Sequence, residues 1–172
     1  IAGLESITEG SLSIDGEVRN PYWDKTKGEM AAGCREPALL KKLAVDSLSC
    51  SSPTKGRWQG LGIEHCGYCL PCLIRRASLM AAWGAGNDAT TYTVRDLHAQ
   101  PLDTRESTGK QVRSFQYAIE RLKGKPQLAN LLIHKPGSLA DELVHLDELA
   151  DVYRRGLSEV ARLIDRVEAR PR

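Results

Sequence analysis

The run SCSSPTKGRWQGLGIEHCGYCLPCLIRR, residues 49–76, decides how the rest of the chain is read. It holds four of the five cysteines: Cys50, then Cys66, Cys69 and Cys72 in a CxxCxxC cluster. Thiolates at such short spacing are the soft ligands that a tetrahedral zinc ion takes. Gly67, between two of them, suits a knuckle, because a turn that aims backbone N–H groups at sulfur often needs a positive φ. We therefore expect Cys50, Cys66, Cys69 and Cys72 to bind one structural zinc ion. Two alternatives stay open. An iron–sulfur cluster also takes four cysteines. The intervening loop, with Lys55, Arg57 and Glu64, is polar and fits a surface zinc loop better than a shielded redox centre. Disulfides would leave Cys34 odd, and neighbours in CxxCxxC compete for one partner. His65, next to Cys66, could replace a ligand, though a residue so placed more often stands beside the site.

Composition bounds the rest. A chain of 172 residues can bury one sizeable core. Its net charge is +2, with 18 basic and 14 acidic side chains up to residue 135 and 6 and 8 beyond it. Neither part has the charge density of a nucleic-acid-binding face. No apolar run is long enough to span a membrane. Free cysteines without a visible export signal point to a reducing cytoplasm. The first residue is Ile1 rather than Met, which we read as the mark of a fragment or processed piece.

Mostly helical segments surround the cysteine loop. Residues 1–9 read as the end of a helix and 13–19 as a weak strand. Thr26 is a plausible N-cap with Glu29 at the capping-box position, so a short helix is expected from Lys27 to Ala32, stopping at Gly33. A second should run from Glu36 to about Leu48 with Leu39, Leu40, Leu43 and Val45 as its inner face. Pro71 stands in the first turn of a helix that reaches Trp83 and ends at Gly84. Tyr92 and Val94 alternate like a strand. Residues 111–122 form an amphipathic helix with Val112, Phe115, Ile119 and Leu122 on one side, and 127–134 a short apolar one. From Ser138 to about Glu168, Leu139, Leu143, Leu146, Ala150, Tyr153, Leu157, Val160, Ile164 and Val167 recur as an a/d seam, about 45 Å long if helical throughout. That seam could pack within the chain, or its far half could dock on a partner.

Two stretches together resemble a known family. NPYWDKTKGEM, residues 20–30, followed by SLSC and HCGYCLPCLIRRASL, is similar to the C-terminal half of the 7-cyano-7-deazaguanine synthases, the QueC family. The matching positions are Pro21, Thr26, Lys27, Glu29, Cys50, Cys66, Cys69, Cys72, Arg75 and Ala77. The longer loop after Cys50 and the pair Arg75-Arg76 look more like QatC, the QueC-like component of Qat antiphage defence systems. The resemblance implies the C-terminal portion of a PP-loop, Rossmann-like α/β ATPase. Its N-terminal nucleotide domain, with an SGGxDS signature, is absent from this sequence. It implies ATP and magnesium in the complete enzyme, and carboxylate adenylation followed by attack of ammonia or an amine. It places Thr26, Lys27 and Arg75 at a nucleotide or substrate site, with no catalytic residue assigned in this piece. Partners would be the missing PP-loop domain and a protein of the same defence system.

The expected organisation is a QueC-like segment with its zinc loop over residues 1–90 and a helical extension over 91–172. A second reading keeps the zinc and drops the chemistry, making the chain a helical adaptor. A third, nucleic-acid binding through Lys55, Arg57, Trp58, Arg75 and Arg76, is disfavoured by the mild net charge.

Overall fold

A computed structural model describes residues 20–54, 60 and 62–171. The helix end expected over 1–9, the strand over 13–19, and Lys55, Arg57 and Trp58 lie outside the described residues. Thr26 opens α1 (Lys27–Ala32) with both halves of the capping box: its Oγ1 accepts from Glu29 N–H, and the Glu29 carboxylate accepts from Thr26 N–H. Helix α2 (Pro37–Asp46) starts on its proline and α3 (Leu70–Trp83) carries Pro71 in its first turn. Gly84, at φ 85°, ends α3. Helix α4 (Ser107–Gly124) begins four residues earlier than its apolar pattern, and α5 (Leu128–Leu132) is short.

The last element differs from its expectation. A 3₁₀ turn, Ala140–His145, replaces the first part of the expected helix. The α-helix proper, α6, runs only from Leu146 to Leu163, about 27 Å at the usual rise. Beyond it Arg166 takes φ 58° and the chain turns into a strand. That strand, β2 (Ala169–Arg170), pairs in parallel with β1 (Leu102–Asp103), Leu102 opposite Ala169. A backbone reversal after Ile164 therefore sends the end of the seam back under α4, where Gln116 Nε2 donates to Val167 C=O at 2.7 Å.

The far half of the seam is core. Val160, Ile164 and Val167 pack with Leu73, Ala77, Leu97, Leu102 and Val112, around the cysteine cluster. Leu157 and Ala150 join Leu122 and Ala129 in a second cluster. Phe115 and Ile119 of α4 border both. Segments from 1–90 and 91–172 thus contribute to one interior, and the docking role considered for residues 157–167 gives way to internal packing. Helix α2 reverses the opposite expectation. None of its residues is buried, and Leu39, Leu43 and Val45, assigned to an inner face, are exposed. Leu40 alone of that set is half-buried.

Candidate metal centre

The knuckle just ahead of α3 brings the four cysteines together. All four Sγ atoms lie within 4.8 Å of one another. Cys50 and Cys69 are 3.9 Å apart, as are Cys66 and Cys72. Thiolates at about 2.3 Å from a tetrahedral zinc ion stand about 3.8 Å from each other, so the donor set fits such an ion. Cys66, Cys69 and Cys72 are buried, and Cys50 is half-buried. Cys34 stays outside the cluster, free.

The local backbone explains the arrangement. Gly67 takes φ 86°, as a knuckle requires, and a Cβ there would stand 2.5 Å from Val94 C=O. The turn aims N–H groups at sulfur: Cys69 N–H at Cys66 Sγ (3.3 Å), and Cys66 and Ser52 N–H at Cys50 Sγ (3.4 Å each). Without metal the thiols do not ionise alike. The hydrogen bond shared with Cys72, with N–H groups of Tyr68 and Cys69, holds Cys66 below the usual thiol range. The same contact with Cys66, joined by burial, holds Cys72 far above it. Burial also raises Cys50.

His65 does not replace a cysteine. Its Nε2 contacts Ser47 C=O at 3.0 Å, and its Nδ1 lies 3.7 Å from Cys72 Sγ. Tyr92 stands edge-on to the imidazole, and its N–H-bearing neighbours pair with the knuckle: Thr93 N–H donates to His65 C=O and Val94 N–H to Cys66 C=O. The alternation at Tyr92 and Val94 is therefore a single parallel bridge, not a full strand.

The paired arginines hold backbone. Arg76 Nη1 donates to Gly67 C=O and Val94 C=O at 3.1 and 2.9 Å, Nη2 donates to Arg95 C=O at 2.6 Å, and the guanidinium lies over the Tyr92 ring. Arg75 reaches the other way, to the C-terminal end of α2. It donates to Ser47 Oγ and Thr90 Oγ1 and to Ala44 C=O, a carbonyl that also accepts from Ser47 N–H and Ser47 Oγ. Its Nε is buried without a hydrogen-bond partner among the described residues.

Thr26 meets a different anion from the one sequence suggested. Thr26 Oγ1 donates to the carboxylate of Glu159 of α6, which also accepts from Ser78 Oγ at 3.3 Å. A Cβ on Gly28 would stand 2.5 Å from Glu159 Oε1, so any larger residue there would have to push the carboxylate aside. Glu159 was not singled out by sequence. It sits beside the seam position Val160 and reads as a solvent-facing charge. Lys27 is exposed on the same side, while Arg75 faces α2, so the three expected binding residues do not converge on one cavity. Glu29 is held below the usual carboxylate range by a hydrogen-bonded ion pair with Arg155, which also binds Asp24 C=O.

No family model, curated protein or solved structure matches this chain. Among the described residues no helix is long and apolar enough to cross a membrane.

Proposed function

We propose that the chain is a helical module built on one structural zinc ion, and that it serves as the C-terminal part of a QueC-like, ATP-dependent enzyme. The observation carrying the first half is the set of four sulfur atoms within 4.8 Å of one another. Four thiolates fill a tetrahedron and leave no open position for a substrate water, so the ion holds structure. Metal analysis of the purified chain is expected to give one zinc per chain and none in Cys69→Ser. Because the ligands bind as thiolates, falling pH returns protons to sulfur and releases the ion. Iron in place of zinc would overturn the assignment.

The second half rests on the motif combination TKGEM and CxxCxxC, supported by the packing of α1, which carries Lys27, on α3, which carries Cys72. On this reading a PP-loop domain outside this sequence binds ATP and magnesium and adenylates a carboxylate. The present module forms one wall, in the cytoplasm, within an antiviral defence system. Lys27→Ala in the complete protein should depress adenylation more than folding. Normal turnover of that variant would remove Lys27 from the site. Reading the coding sequence directly upstream of Ile1 gives the sharpest test. An in-frame SGGxDS supports the enzyme, and an unrelated sequence supports the adaptor.

The adaptor reading has one observation in its favour. Leu39, Leu43 and Leu48 are about half exposed along α2 and the residues after it, with Ile63 exposed as well. Leu39→Asp with Leu43→Asp would then remove a co-purifying protein while the chain stays folded.

A further inference from the structure

Between the start of α1 and the facing sides of α3, α4 and α6 lies a cleft of about 290 Å³. Its walls are apolar, among them Ile74, Phe115, Val152 and Tyr153. Its deepest lining is not. Glu159, Thr26 and Ser78 border it and are only 6%, 4% and 4% exposed. Lys25 and Lys27 border it too, both exposed at the rim, Lys25 in an ion pair with Asp24 at 2.7 Å.

Glu159 is a buried carboxylate bonded to neutral groups. Among the described residues its partners are the hydroxyls of Thr26 and Ser78, and it enters no ion pair. An ionised carboxylate offers about four lone-pair sites, so two remain for a donor arriving from the cleft. Burying such a charge is costly unless a cation or several donors meet it. The nearby arginine is committed elsewhere: Arg155 pairs with Glu29 and Asp151.

Gly156 supplies an independent observation. It lies inside α6 and borders the cleft, and a Cβ built on it meets nothing within 4 Å. A helix-interior glycine is about 1 kcal/mol worse than alanine, and no neighbour among the described residues requires one here. A large side chain at this position would project into open space beside the cleft.

We propose that this cleft binds a small aromatic zwitterion. An amidine or protonated amine sits on Glu159, the ring lies against the apolar walls, and an acidic group faces Lys25 and Lys27. A fork of two N–H groups matches the free lone pairs of a carboxylate. This chemistry is independent of the QueC-like reading, since it needs neither ATP nor a second domain.

The probe is 4-amidinobenzoate, titrated into the intact 172-residue chain and followed by amide NMR shifts. Saturable shifts are expected at Gly156 and Ser78, with benzamidine and benzoate each about tenfold weaker, the worth of one charge-assisted contact. Gly156→Leu fills the opening and should abolish binding with the fold intact. Lys27→Glu, at an exposed position, should weaken 4-amidinobenzoate about tenfold and leave benzamidine no weaker. No saturable shift, equal affinity for the one-ended compounds, or unchanged binding by a folded Gly156→Leu overturns the proposal. Should that variant not fold, Lys27→Glu decides: unchanged affinity for 4-amidinobenzoate overturns it.

Discussion

Helices α2 and α6 are both amphipathic, yet they sit in opposite environments. Leu157 and Val160 of α6, with Ile164 just past its end, are buried in the two core clusters. Leu39 and Leu43 of α2 are more than half exposed, and its hold on the molecule is the Arg75 guanidinium at its C-terminal end together with the half-buried Leu40 and Ala44. An apolar stripe states that one face avoids water. It does not state that this chain supplies the cover. The neighbours each helix reaches decide that: α6 is flanked by α3, α4 and α5, whereas α2 ends in a loop that must turn back to bring Cys50 to the cysteine cluster.

The strongest test of this contrast is charge in the seam. Leu157→Asp with Ile164→Asp should abolish cooperative unfolding, each change costing more than about 3 kcal/mol by placing an unpaired carboxylate in the core. A folded double variant would mean that α6 is not the internal helix described above. Next comes Gly28→Ala, whose methyl group meets the Glu159 carboxylate. Urea unfolding should register a loss of about 2 kcal/mol, and Glu159→Ala should recover part of it in a double-mutant cycle. Additive effects would separate α1 from α6. Arg75→Met should cost about 1–2 kcal/mol by removing the hydrogen bonds that tie Ala44 C=O and Ser47 Oγ to α3, with faster amide exchange confined to α2. The smallest effect is expected from Leu39→Asp and Leu43→Asp, within about 0.5 kcal/mol each. A loss above about 2 kcal/mol would show that the face is covered and erase the contrast.

Local signals were legible where one or two neighbouring residues decide the geometry. The Thr26–Glu29 capping box, the stop at Gly84, the positive φ of Gly67 and the meeting of Cys50 with Cys66, Cys69 and Cys72 all belong to this kind. The apolar side of α4 was equally readable, since Val112 and Leu122 are buried as its period requires. Long-range partners were not. Nothing near Glu159 announces hydroxyls from residues 26 and 78, and nothing near Arg75 or Arg76 announces carbonyls in place of phosphate. The 3₁₀ start and early end of α6 also depend on distant contacts, because the a/d spacing continues through Val167 although the helix does not. Its continuation is satisfied instead by the pairing of Leu102 with Ala169.

The grip of Arg76 on the knuckle bears on how metal is captured. Its guanidinium joins the carbonyls of Gly67, Val94 and Arg95, and the bridge at His65 and Tyr92 adds two backbone hydrogen bonds. None of these links involves sulfur, so they persist when the cation leaves. A cation entering the site would meet Cys66, Cys69 and Cys72 in a turn these bonds already shape, with Cys50 Sγ held beside Cys69 and accepting the Cys66 and Ser52 N–H groups. On the zinc reading, loading the site would ask little new order of the backbone, because the four sulfurs already stand within 4.8 Å of one another.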